Sequence, residues 1–65
     1  MSKQEASKVQ IGTRVIYEEK QGVVETKRFI MGGFGYLTNT YIFDILYDDG
    51  TRETGVPHAF VQLTQ

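Results

Sequence analysis

The chain contains no cysteine, which excludes disulfide staples, Cys-ligated zinc and thiol catalysis, and nothing points to an oxidising compartment. A charge excess of one sign is also missing. Seven Lys and Arg stand against eight Asp and Glu, for a formal charge of −1, whereas a general nucleic-acid coat carries a clear basic excess. No apolar run approaches the roughly 18 residues a membrane span needs. The opening Met1-Ser2-Lys3-Gln4-Glu5-Ala6-Ser7-Lys8 lacks the apolar core of a signal peptide. These absences lead to the expectation of a soluble, cytoplasmic protein with no membrane association. Long helical periodicity is absent too. No window of ten or more residues repeats apolar positions at helical spacing, and glycine interrupts each long segment.

What is present is a dense strand pattern in a chain of 65 residues, enough for one domain. Its composition is 40% apolar, with four Tyr and four Phe. Residues 1–9 read as a flexible lead and residues 10–65 as a single domain. Thr13 to Tyr17 forms a first strand, with Glu18-Glu19-Lys20-Gln21-Gly22 as the polar turn after it. Val23 to Ile30 forms a second. Thr40 to Tyr47 forms the third, with Tyr41, Phe43, Ile45 and Tyr47 on one face by period-2 alternation. Asp48-Asp49-Gly50 is a strong hairpin signal, since Gly supplies the positive φ such turns require. A fourth strand runs over Thr51 to Val56. Pro57-His58-Ala59 suits one 3₁₀ turn, and Phe60 to Leu63 closes as a fifth strand. The expected fold is all-β: a five-stranded SH3-like small barrel with a 3₁₀ turn before the last strand. Closure would remove the exposed edges that an open antiparallel sheet, the competing architecture, must protect.

Several motifs now resemble the Tudor and KOW branch of SH3-like barrels, over roughly Ile11 to Leu63. Gly12-Thr13-Arg14-Val15 opens the first strand and Gly22-Val23-Val24 the second. Tyr47-Asp48-Asp49-Gly50-Thr51 looks like the aromatic–acidic–acidic–Gly turn between the third and fourth Tudor strands. Gly12 to Tyr17 also looks like the first strand of transcription-associated CarD-type domains. The resemblance implies an aromatic cage for a methylated ammonium, where ring faces attract a cation. Tyr47 would be a cage wall, Asp49 the acidic partner and Tyr17 a further aromatic. The sequence departs from that pattern at Thr51, a position often aromatic in readers. It departs again at Glu18-Glu19-Lys20, where the first hairpin would supply another ring. The plainer reading makes Tyr47 the end of a core strand and Asp48-Asp49-Gly50 an ordinary turn.

Catalytic and metal constellations are not legible. His58 is the only histidine and has no second ligand near it in sequence. Asp48-Asp49 lacks calcium-loop spacing. Glu18, Glu19, Asp48 and Asp49 fall in expected turns, where solvation disfavours the raised pKa an acid catalyst needs. Gly32-Gly33-Phe34-Gly35 continues into Tyr36-Leu37-Thr38, without the Gly-Lys-Ser/Thr ending and helix of a phosphate loop. The expectation is a non-enzyme with no cofactor and no metal.

The apolar residues are oddly distributed. Met31, Phe34, Tyr36 and Leu37 lie in a glycine-rich connection, and Ile42 and Leu46 lie on the second face of the third strand, around Asp44. A one-sided strand would be polar there. Either the loop caps its own core, or the groups meet another protein or a second copy of the chain. Phe34, Tyr36, Leu37, Ile42 and Leu46 are therefore the candidate partner-binding residues of a regulatory, protein-binding module, with transcription machinery the setting its resemblance implies. The alternative is a nucleic-acid-binding barrel using Lys27, Arg28 and Arg52 beside the aromatics.

Overall fold

The computed structural model describes residues 1–32 and 39–64. The element order is α1 (Lys3–Ser7), β1 (Arg14–Tyr17), β2 (Lys20–Ile30), β3 (Thr40–Tyr47), β4 (Arg52–Pro57), a 3₁₀ turn (His58–Phe60) and β5 (Gln62–Leu63). All strands pair antiparallel in one sheet of order β4-β3-β2-β1-β5. The expected all-β character and the third strand stand as read. The expected closure does not: β4 and β5 are the two ends of the order, and the sheet is open. Closure fails because β5 has two residues, both spent on Val15 and Ile16 of β1, while β4 pairs only with β3. Short length blunts one edge. Arg52, Glu53 and a bulge blunt the other, which answers the edge problem without closure.

Alternation in β3 sets the core. Phe43 and Ile45 are fully buried and Tyr47 nearly so, with Val15, Val24, Val56 and Val61 around them and Tyr41 packed at the margin. Each large side chain removed from water in this way contributes about 1.5–3 kcal/mol. Ala6 and Val9 join the same cluster from the N-terminal segment. Where the sequence reading has a flexible lead, the structure has a short helix opened by a capping box. The Ser2 hydroxyl accepts from the Glu5 backbone N–H, and the Glu5 carboxylate accepts from that of Ser2. Lys27 holds the other end of the helix, its ammonium donating to the carbonyls of Ser7 and Val9 at 2.9 and 3.0 Å.

The sheet bends at one level. In β2 the register shifts between Val24 and Thr26, and in β4 it shifts opposite the step from Phe43 to Ile45. Both flanking strands thus carry an extra residue beside Asp44, and such bulges increase local twist. Gly55 takes φ +70 in the β4 bulge. Its N–H donates to the Asp44 carboxylate at 3.0 Å, Thr26 adds a side-chain hydrogen bond, and the Arg28 guanidinium stands 3.8 Å away. These hydrogen bonds from Gly55 and Thr26, with the Arg28 charge, hold the Asp44 carboxyl below its usual range.

The β1–β2 connection is shorter than the polar run Glu18–Gly22 implies. Tyr17 pairs with Lys20, leaving Glu18 and Glu19 as the whole loop at φ 51 and 66. Two positive φ values define the turn that matches strand twist, but it favours Asn-Gly rather than two glutamates. Left-handed backbone costs an ordinary residue about 1–2 kcal/mol. The double variant Glu18→Asn/Glu19→Gly is therefore expected to gain at least ~1 kcal/mol, raising the thermal midpoint by about 4–8 °C. Differential scanning calorimetry checks it; an unchanged midpoint would contradict the turn assignment.

Candidate functional site

The two hairpin turns share one end of the sheet. Asp48 N–H donates to the Gln21 carbonyl, and the Lys20 ammonium donates to the Thr51 hydroxyl at 3.1 Å. Five carboxylates gather here, from Glu18, Glu19, Asp48, Asp49 and Glu53, with three cations, Arg14, Lys20 and Arg52. Arg14 meets Asp48 at 2.8 Å and Lys20 meets Asp49 at 3.3 Å. A shallow cleft of about 310 Å³ is lined by Lys20, Gln21, Tyr47, Asp48 and Asp49. Burial pushes the Tyr47 phenol up, and the nearby Glu53, Glu18 and Asp49 charges push the same way; Tyr17 is raised likewise by burial and Glu18. Two hydrogen bonds from Thr51, with Lys20 beside them, lower the Asp49 carboxyl to about 2.

This end contains Tyr17, Tyr47 and Asp49, the residues expected to form a cage. The Lys20 ammonium lies 4.2 Å from the centre of the Tyr47 ring while bridging to Asp49. The chain's own lysine thus takes the ring face and the carboxylate that an incoming methylated ammonium would need. Tyr47 is 5% exposed and belongs to the core. Sequence reading missed the contact of Lys20 with Tyr47 because it depends on the β2–β3 register, which sets Gly22 opposite Tyr47.

The opposite end carries the last residues of β2, the start of β3, the 3₁₀ turn and α1. Phe29 and Tyr41 pair across the strands with ring centres 4.7 Å apart. His58 meets Tyr41 edge-on at 6.0 Å, and its Nδ1 accepts from the Tyr41 backbone N–H at 3.2 Å. Lys3 lies 5.5 Å from the Phe29 ring centre and Lys27 lies 4.9 Å from that of Tyr41. At this end Phe29 is 41% exposed and Met31 75%, and Phe60 of the 3₁₀ turn is 60% exposed; Ile11 and Leu63 are the other exposed large apolar side chains among the described residues. Phe34, Tyr36 and Leu37, the main partner-binding candidates, lie outside the described residues. Ile42 is only 4% exposed, so it is covered within the chain, and Leu46 is half-buried. Sequence reading placed Met31 in the apolar segment but gave no sign that Phe60 stays exposed.

The three candidate nucleic-acid contacts are not brought together. Lys27 and Arg28 are successive in a strand, so they leave opposite faces of the sheet. Lys27 is spent on α1, Arg28 faces Asp44, and Arg52 meets the bulged Glu25 at 3.0 Å. Among the described residues no three His, Asp or Glu side chains group in a way that would hold a metal ion.

Fold and surface together define a small antiparallel β protein with one acidic end and one aromatic, lysine-bearing end. No family model, no curated protein and no solved structure matches the chain. No helix among the described residues is long and apolar enough to cross a membrane.

Proposed function

We propose that this chain is a non-enzymatic interaction module of the SH3-like small-barrel type that binds a protein partner through the end carrying Phe29, Met31 and Phe60. The β1–β4 meander, with a 3₁₀ turn returning the chain to β1, supports the SH3-like reading in a partly open form. One observation carries the functional reading. Phe29 at the end of β2, Met31 just after it, and Phe60 in the 3₁₀ turn, whose His58 packs on Tyr41, are each at least 41% exposed. Exposed aromatic and methionine side chains are what protein interfaces enrich, because they supply large contact area. A regulatory role beside transcription machinery is the setting suggested by the resemblance to Tudor, KOW and CarD-type domains, and fold resemblance does not fix function. Nucleic-acid binding is the weaker reading, since its three cations are split over two faces and already engaged.

Affinity capture from native lysate tests the reading, with wild type compared against Phe34→Ala/Tyr36→Ala and against Met31→Ser. The expected result is one specific protein retained by wild type and lost from both variants. Identical eluates from all three would overturn it.

A further inference from the structure

Ion pairing in this molecule is lopsided. Arg14, Lys20, Arg28 and Arg52 each face a carboxylate within 4 Å. Among the described residues Lys3, Lys8 and Lys27 face none, and all three belong to the aromatic end. Lys3 lies over Phe29, and Lys27 lies over Tyr41. Lys27 is also anchored on the carbonyls that flank Lys8 in the chain. The one carboxylate of α1, Glu5, is turned to the Ser2 backbone N–H. Three lysines without a carboxylate partner therefore lie at this end, Lys27 already held by the carbonyls of Ser7 and Val9, while most of the carboxylates sit at the far end of the strands.

From this we infer the chemistry of the partner: an acidic segment with interspersed large apolar side chains, whose carboxylates meet Lys3 and Lys8 while its apolar groups cover Phe29, Met31 and Phe60. The inference rests on the docking reading above and adds charge to it. Opposite charge around an apolar contact speeds encounter and fixes register. A single-stranded nucleic acid would also want cations beside aromatics, but it needs free ring faces for its bases. Two of the rings here are already engaged. The Phe29 ring is held between Tyr41 and Lys3, and the Tyr41 ring between Phe29, Lys27 and the edge of His58. Met31 offers apolar contact to a peptide and little to a base or a phosphodiester. The acidic turns and the net charge of −1 also oppose a polyanion longer than the patch.

The test is amide chemical-shift mapping on the isotope-labelled full chain. The probes are a synthetic peptide alternating Glu with Leu and Phe, the same peptide with Gln or with Lys in place of Glu, oligothymidylate, and phosphatidylserine vesicles. The acidic peptide is expected to shift Lys3, Lys8, Phe29, Met31, Tyr41 and Phe60, and to bind more tightly than the Gln and Lys versions. The variant Lys3→Glu/Lys8→Glu should weaken it about ten-fold. Lys3→Gln/Lys8→Gln should give an intermediate loss, and unbound spectra of both variants check that the fold is kept. If all three peptides bind this end equally, the docking reading stands and the acidic-partner inference fails. If no peptide shifts these residues, both fail. Equal shifts from oligothymidylate or the vesicles would replace a protein partner with a polyanion or a membrane surface.

Discussion

Replacing Gly22 by alanine is expected to destabilise the fold by about 3 kcal/mol or more, the upper range for overpacking. A Cβ at this position would lie 2.4 Å from the Leu46 carbonyl oxygen and 2.9 Å from both the Leu46 carbonyl carbon and the Tyr47 Cα. All three are backbone atoms of β3, so no side chain can rotate out of the way. Relief requires β2 and β3 to separate where Gly22 pairs with Val15 on one side and Tyr47 on the other. That is the centre of the sheet. For a chain of this size total stability is on the order of 3–10 kcal/mol, so the loss is a large share of it. Urea unfolding followed by circular dichroism reads it directly: the midpoint should fall steeply or the transition vanish. An unchanged midpoint would mean the strands do not approach as described.

Removing the Asp44 carboxylate is expected to cost about 2 kcal/mol, the usual scale for hydrogen bonds to a charged group. The cost falls on the bend. Asp44→Ala leaves the Gly55 N–H without its acceptor and Thr26 and Arg28 without their charge partner. Asp44→Asn keeps one acceptor oxygen and should lose less. The pH dependence follows from the lowered carboxyl pKa. Its stabilisation is fully present above the ordinary value near 3.8 and is lost as pH falls through the lower folded value. The gap between wild type and Asp44→Asn should therefore close on acidification below about pH 4. Asp49, lowered to about 2 by Thr51 and Lys20, titrates with the same sign and belongs to both proteins. A gap that stays constant down to pH 2 would show that the charge of Asp44 does not hold the bulges.

These two residues also mark where sequence reading reaches and where it stops. The alternation in β3 and the Asp48-Asp49-Gly50 turn are legible because each rests on local rules: period 2 and positive φ at Gly50. Gly22 invites the wrong rule. It follows a polar run and reads as the end of a turn, yet its lack of a Cβ serves a close strand approach visible only in three dimensions. Glu18 and Glu19 carry no residue-type signal for the left-handed backbone they adopt. Asp44 reads as a polar interruption of an apolar face, and only the two register shifts explain it. The helix Lys3–Ser7 is too short for periodicity, though Ser2-x-x-Glu5 is a capping signature that marks its start.

The site divides in the same way. The apolar segment around Met31 stands out in the sequence, and strand alternation already places Lys27 and Arg28 on opposite faces. The cis contact of Lys20 with Tyr47 and the cluster of unpaired lysines required the hairpin register and the docking of α1. Both are tertiary facts. The acidic end satisfies its own cations, whereas the aromatic end leaves apolar surface and charge uncovered.

Amide hydrogen exchange, with and without the partner recovered by capture, tests the central claim that this aromatic end is the docking face. Exchange should slow from Phe29 to Tyr41 and from His58 to Phe60, and stay unchanged at Glu18 to Gln21 and Asp48 to Thr51. Protection confined to those acidic turns, with the aromatic end unaltered, would contradict it.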